Sequence, residues 1–181
     1  MENFMFDMGI KAYFGKGQIS RIGGLMAQYG KKAMLVYGGG SIKRNGIYDA
    51  VLTGAKEHGI TVTDVGGVES NPTLETAQRG IELARKEKVD CIVAAGGGSP
   101  IDCAKSIAAG AVYDGDVWDF YSGRAVAEKS LPTIGISTIA ASGSEFSKFA
   151  VLTNRATLEK NGTAASCLRL DALIEDPAYT F

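Results

Sequence analysis

Short apolar runs, most of which stop at a glycine, alternate along this chain with segments of helical periodicity. The runs occupy residues 33–37, 60–65, 91–95 and 132–137. Apolar positions three and four residues apart predict helices at about 17–29, 47–58, 73–87 and 99–110. Because short apolar runs are typical of parallel strands buried on both faces, the pattern predicts an α/β fold. We expect a Rossmann-like, doubly wound, mainly parallel sheet with helices on both faces.

Residues at the ends of these segments refine the prediction. Thr73 is expected to cap the third helix, and Ser99, which precedes a proline, is expected to cap the fourth. The segments 10–15 and 147–153 are predicted as extra strands that form hairpins at the edges of the sheet. No linker or low-complexity tract marks an internal boundary, so we expect one domain.

The sequence Gly-Gly-Gly-Ser follows two of the predicted strands. Its residues are Gly38, Gly39, Gly40 and Ser41 in the first turn, and Gly96, Gly97, Gly98 and Ser99 in the second. Glycine lets a ligand approach the backbone closely, and the helix that follows aims unpaired N–H groups at the same spot. With the strand order 60–65, 33–37, 91–95, 132–137, both turns flank one crevice at the carboxyl edge of the sheet. A long anionic ligand such as a dinucleotide fits this arrangement.

Other glycine motifs are absent. Neither turn reads G-x-G-x-x-G, which disfavours a common Rossmann dehydrogenase, and no Walker A motif is present. A phosphotransferase is further disfavoured because no acidic magnesium cluster stands beside a lysine-bearing phosphate loop. A non-catalytic module that binds a dinucleotide stays open. The loop 137–145 contributes hydroxyls that can donate to phosphate or ribose, although it also fits a solvated loop.

The composition of the chain limits the classes of molecule that it is expected to bind. Nineteen basic residues nearly balance 20 acidic ones, for a net charge of −1, so nothing attracts nucleic acid or anionic membranes. No apolar run approaches the roughly 20 residues of a membrane-spanning helix, and residues 1–7 do not resemble a signal peptide. The three cysteines fit neither a disulfide framework nor a zinc knuckle, which favours reduced thiols and a cytoplasmic location.

The motifs, taken in order, resemble those of the iron-containing (group III) alcohol dehydrogenases, especially the butanol-dehydrogenase-like branch. They lie at 14–17, 37–41, 71–73, 96–105, 138–145, 151–154 and 176–177. The resemblance implies hydride transfer between a nicotinamide and a primary alcohol or aldehyde. It also implies that backbone N–H groups of Gly97, Gly98 and Ser99 hold the pyrophosphate.

The resemblance assigns roles to five further side chains. Thr138 and Ser142 would bond phosphate or ribose, and Asp102 would lie near the nicotinamide side of the cleft. Lys160 would reach the nicotinamide ribose, and Asn71 would lie near the adenosine end. Where family members often have Gly-Thr-Gly-Ser-Glu, this chain has Ala-Ser-Gly-Ser-Glu at 141–145, and serine keeps the hydroxyl.

The first turn bears on the choice of nucleotide. Family members that resemble NAD users have an aspartate in this turn, whereas this chain has Gly39 and so no carboxylate to repel a 2′-phosphate. Ser41, Lys43 and Arg44 supply donors and positive charge, although the two cations also fit a solvated helix start. We therefore favour NADP, with NAD as the alternative.

The resemblance also implies a divalent iron or zinc ion that polarises the alcohol oxygen. In the family, one aspartate and three histidines from a helical domain after the Asp-Pro segment bind it, and this chain contains a single histidine, His58. We therefore expect residues 1–181 to be the dinucleotide-binding domain, without the helical metal-binding domain and inactive alone. The substrate, the metal and association into homo-oligomers stay open.

Overall fold

The computed structural model describes residues 9–180, so the segment 1–7, which we read as unlike a signal peptide, lies outside the described residues. The strands are β1 (Lys11–Phe14), β2 (Lys32–Tyr37), β3 (Thr61–Val65), β4 (Cys91–Gly96), β5 (Thr133–Ser137), β6 (Phe149–Asn154), β7 (Glu159–Ala164) and β8 (Ala172–Glu175). The helices are α1 (Ile22–Ala27), α2 (Ser41–Arg44), α3 (Ile47–Glu57), α4 (Leu74–Glu87), α5 (Gly98–Ala111) and α6 (Trp118–Tyr121). Short 3₁₀ turns occupy Gln18–Arg21, Ser144–Phe146, Ser166–Leu168 and Pro177–Tyr179.

Six strands form one parallel sheet in the order β1-β8-β5-β4-β2-β3. The predicted fold class is confirmed, and the four strands predicted from the apolar runs stand in the predicted order. Hydrophobic side chains alternate between the two faces along each central strand. In β2, Met34 and Val36 face the layer that contains α4 and α5, and Leu35 and Tyr37 face the layer that contains α1 and α3. The sheet is therefore buried on both faces, as its apolar runs require.

The two extra strands differ from their prediction. Within the described residues, β1 forms no hairpin but pairs in parallel with β8, a strand that the sequence reading missed. The segment 147–153 contains β6, which does form an antiparallel hairpin with β7. That hairpin is a separate two-stranded sheet that packs over α5 instead of extending the main sheet. It lies there because β6 alternates buried and partly exposed residues and so has one face to bury.

Of the two predicted helix caps, the structure has one and not the other. Thr73 caps α4 as predicted, because its hydroxyl accepts a hydrogen bond from the Thr76 N–H at 3.3 Å. Ser99 does not cap α5, which begins at Gly98 with Gly97 as the capping residue. A proline in the first turn needs no N–H partner, so Pro100 lets the helix begin two residues earlier. The Ser99 hydroxyl instead donates to the Ser70 carbonyl at 2.6 Å.

The predicted helix 17–29 is divided into the 3₁₀ turn Gln18–Arg21 and α1. Within residues 9–180, none of the helices has both the length and the apolar character that crossing a bilayer requires.

Candidate functional site

Both glycine turns open into one pocket at the carboxyl edge of the sheet. Its volume is about 270 Å³, and its lining includes Gly38 and Ser41 from the first turn, Gly97, Gly98 and Ser99 from the second, and Thr138 from the loop after β5. The strand order brings them together, because β2, β4 and β5 are neighbours and their carboxyl ends point the same way. The loop 68–70 completes the wall. The crevice therefore stands where the sequence predicted it.

The second turn is shaped to receive an anion. Gly96 has φ +145°, a conformation that L side chains rarely adopt, and its carbonyl accepts from the Thr138 N–H at 3.1 Å. The α5 helix then starts with its N-terminus at the pocket, and no side chain within residues 9–180 caps its first turn. The first N–H groups of a helix lack intrahelical partners and carry a partial positive charge. An anionic ligand can satisfy them.

The loop after β5 closes over the start of α5. A methyl group built on Gly98 would collide with the Ser142 hydroxyl, and one built on Gly97 would stand 2.9 Å from Ile139 Cγ2. These glycines are therefore needed for the close approach of loop and helix. Ser142 itself is exposed, with its hydroxyl beside the first turn of α5.

Asp102 lies one turn further along α5 and binds protein groups. Its carboxylate accepts a short hydrogen bond from the Ser144 hydroxyl and another from the Val151 N–H at 3.2 Å. Burial raises the pKa of this carboxyl, against the lowering by Ser144 and by the nearby Lys105. Asp102 therefore ties α5 both to the loop after β5 and to the β6–β7 hairpin.

Lys105 is a residue that the sequence reasoning missed. It is 1% exposed, and its Nζ donates to the carbonyls of Ser144 at 2.7 Å, Ser147 at 2.9 Å and Phe149 at 2.9 Å. Burial lowers the pKa of its ammonium to about 8. Its spacing three residues after Asp102, at the end of the 96–105 motif, was the available signal, since residues three apart share a helix face.

Asn71 and Lys160 lie side by side. The Lys160 Nζ donates to Asn71 Oδ1 at 2.8 Å, which links β7 to the loop before α4. A second contact joins the turn between β6 and β7 to the same loop, from Arg155 to Glu69 at 3.3 Å. The resemblance assigned Asn71 and Lys160 to opposite ends of the dinucleotide, whereas this hydrogen bond puts them at one place.

The exposed side of the first turn carries a cation over two aromatic rings. The Lys43 Nζ lies 4.6 Å from the ring centroid of Tyr48 and 5.2 Å from that of Tyr37. Both tyrosine hydroxyls donate to Asp64, at 2.6 Å and 3.2 Å. Gly39 is exposed, with no heavy atom within 4 Å of a methyl group built on it. Neither Gly39 nor Lys43 lines the 270 Å³ pocket.

A profile of the family described as iron-containing alcohol dehydrogenase matches residues 10–177. The chain belongs to this family. It is 45% identical over 181 residues to NADH-dependent butanol dehydrogenase A of Clostridium acetobutylicum, covering all of this chain and 46% of that protein. It is 34% identical to the NADPH-dependent aldehyde reductase of Escherichia coli, covering all of this chain and 47% of that protein. The crystal structure of NADH-dependent butanol dehydrogenase A from Thermotoga maritima superimposes with a TM-score of 0.93 at 44% identity, covering 99% of this chain and 46% of the other.

This iron-containing alcohol dehydrogenase chain thus spans about half the length of the curated relatives that it matches. Within residues 9–180, no group of three or more His, Cys, Asp or Glu side chains is placed to hold a metal ion. His58 is exposed, and its Nδ1 lies 2.9 Å from the Gly54 carbonyl. The described residues therefore do not fit the metal that the family name implies.

A larger cavity, of about 920 Å³, opens at the other end of the sheet. It is lined where β1 and β8 begin, by residues that include Lys11, Lys129 and Arg169. We place the candidate site in the smaller pocket, because there the glycine turns and the uncapped helix end converge. The larger cavity has neither feature.

Proposed function

We propose that this chain binds a nicotinamide dinucleotide across the crevice between its two glycine turns. It would thereby form the cofactor-binding half of an NAD(P)-dependent, metal-dependent alcohol dehydrogenase or aldehyde reductase. The observation that carries the proposal is the shared pocket, where both turns meet at the uncapped N-terminus of α5. The names of the relatives, which are butanol dehydrogenases and an aldehyde reductase, support the same activity for the intact protein.

Backbone groups of the second turn and two side chains of the loop after β5 have a part in binding. The N–H groups of Gly97, which precedes α5, and of Gly98 and Ser99, which begin it, hold the pyrophosphate, because no side chain caps this helix start. Thr138, which lines the pocket, and Ser142, whose hydroxyl lies beside Gly98 at the start of α5, donate hydroxyl hydrogens to the ligand. A bound dinucleotide supplies the hydride, and the chain orients it and limits its contact with water.

Lys160 and Asn71 act on one part of the ligand. Since their side chains share a hydrogen bond of 2.8 Å, we assign both to a single ribose, the one nearest the β6–β7 hairpin. Asp102 serves from beneath the pocket, where it fixes the wall through Ser144 and Val151.

We propose NADP as the nucleotide because of the residues in the first glycine turn. Gly39 offers open space without a carboxylate, and Ser41 and Lys43 stand exposed beside it. NAD is the alternative, since relatives that are 41–47% identical carry NADH-dependent names. The ratio of the affinities for NADPH and NADH decides between the two.

The metal ligands would come from outside residues 9–180, because those residues provide no group of side chains placed to hold a metal ion. We therefore expect no turnover when the isolated chain is assayed with NADPH and butanal, with iron or zinc added. Robust turnover under those conditions would contradict this part of the proposal.

Dinucleotide binding itself is tested by placing a negative charge at the helix start. Ser99→Asp suits the positive end of α5 but loses the hydrogen bond that the Ser99 hydroxyl donates to the Ser70 carbonyl, so its effect is compared with that of Ser99→Asn, which has the same volume without the charge. In the pocket the aspartate repels the pyrophosphate, and we expect at least a tenfold loss of NADPH affinity by isothermal titration. A second control is Ser20→Asp, an exposed serine in the Gln18–Arg21 turn and outside the pocket lining. Equal affinity in all three variants, or tighter binding of ATP than of NADPH, would refute the proposal.

A further inference from the structure

A lysine is buried beneath the crevice with all of its donors in use. Lys105 is 1% exposed, and an ammonium group carries three N–H donors. Each of the three finds a backbone carbonyl within 2.9 Å, at Ser144, Ser147 and Phe149. Burying a charged amine is costly unless such partners are present, and an apolar side chain of similar length would avoid that cost. The burial of this ammonium group therefore requires a structural or functional explanation.

The three carbonyls belong to one segment, and that segment is the far end of the loop that forms the pocket wall. The loop starts at Thr138, passes over α5 at Ser142, and reaches the Lys105 partners at 144–149. Asp102, one turn earlier on the same helix face, holds the same segment through the Ser144 hydroxyl and the Val151 N–H. One helix thus presents its N-terminus to the crevice and, with two side chains, fixes the opposite wall.

We propose that Lys105 is a positioning residue for the dinucleotide, one that aligns the Ser142 wall with the N-terminus of α5 by holding the backbone of 144–149. The inference rests on the proposed function, since it assumes that the crevice takes a dinucleotide. It goes beyond that function, because Lys105 does not line the pocket and acts only through the loop.

The arrangement makes the wall sensitive to pH. Asp102 from α5 and Glu145 from the Ser144–Phe146 turn are the charged groups that act on Lys105, and both favour its ammonium form. Burial outweighs them and lowers the pKa of Lys105 to about 8. A neutral amine has two N–H groups and cannot donate to three carbonyls. The hold on the loop therefore weakens as pH rises through 8.

The first measurement is NADPH affinity of the full chain at pH 7 and pH 9. The wild type should bind about five- to tenfold more weakly at pH 9 than at pH 7. Lys105→Met should show the weak affinity at both values, and Lys105→Arg, whose guanidinium stays charged, should keep its pH 7 affinity at pH 9. Lys86→Met, at an exposed lysine of α4, is the matched control and should follow the wild type. A residue with a merely structural role would change the unfolding temperature without changing this pH profile.

The second measurement needs no ligand. Amide hydrogen exchange of residues 142–151, corrected for intrinsic rates, should be faster in Lys105→Met than in the wild type, and faster in the wild type at pH 9 than at pH 7. If the methionine variant does not fold, the wild-type pH series and the arginine variant still decide. Unchanged loop protection together with a flat wild-type affinity profile would overturn the inference. If the wild type binds no dinucleotide, the proposed function is wrong. The exchange data alone would then test whether Lys105 stabilises the loop.

Discussion

Gly39 is the position where a single added charge should separate NADPH from NADH. The residue is exposed, and no heavy atom stands within 4 Å of a methyl group built on it. Its φ lies outside the left-handed range that strains L side chains. Gly39→Asp can therefore be accommodated without repacking, so its effect on binding reports the charge and not a disturbed fold.

The magnitude follows from the exposure of the site. Two unit charges about 4 Å apart repel by about 1 kcal/mol in water, and a 2′-phosphate carries nearly two charges. The penalty for NADPH is thus about 2 kcal/mol, or roughly thirtyfold in affinity. NADH has no phosphate there, and the new carboxylate can accept a hydrogen bond from its ribose hydroxyl. The affinity of the variant for NADH should therefore equal or exceed that of the wild type.

The assay is isothermal titration of the full chain with each nucleotide. Gly39→Asn is the matched control, because it adds the same volume without the charge. The penalty for NADPH should also shrink between 0.05 M and 0.5 M salt, since the site is exposed. If aspartate and asparagine weaken NADPH equally, or if the ratio of NADPH to NADH affinity does not change, the electrostatic reasoning is wrong.

Three more outcomes test other features. Gly23→Ala should lower the unfolding free energy by about 1–3 kcal/mol, because the added methyl group collides with the backbone of α3. The neighbouring Gly24→Ala, whose methyl group has no atom nearer than 4.0 Å, should destabilise the protein less. Equal urea midpoints for the two variants would contradict this. Burial raises the pKa of both Cys91 and Cys103 from 9.0 to about 12, so the unfolded chain releases these protons first and stability falls from pH 9 toward pH 12. The unfolding free energy of the wild type minus that of the double alanine variant should fall by about 2.7 kcal/mol per pH unit in that window, and a constant difference would refute it. Lys160→Ala should weaken NADPH binding about fivefold without changing the unfolding midpoint, because the side chain is exposed; unchanged affinity by titration would remove it from the site.

The central fold was predictable because its signals are local. Four apolar runs and the helices between them gave the order of β3, β2, β4 and β5, since crossover connections leave few arrangements. Two other strands were not predictable in this way. β8 is four residues long, and β7 is mostly polar and exposed, so neither carries a clear alternation of apolar residues.

The candidate site divides along the same line. The glycine turns were predictable because the residues that form a turn and the helix after it are consecutive in the sequence. Lys105 was missed because lysine normally lies at the surface, and its carbonyl partners are about forty residues away. The contact between Asn71 and Lys160 joins residues 89 positions apart, which no local pattern encodes. Tertiary structure was needed for both.

The pairing of β1 with β8 has a consequence for how this polypeptide is made. Lys11 leaves the ribosome well before its neighbour in the sheet, Ala172, which lies at the other end of the described sequence. The layers around β2, β3, β4 and β5 can assemble during translation, while the first strand waits with unsatisfied backbone groups. A nascent polypeptide that stalls shortly before residue 172 would leave β1 and the outer edge of β5 open together, and such edges invite aggregation.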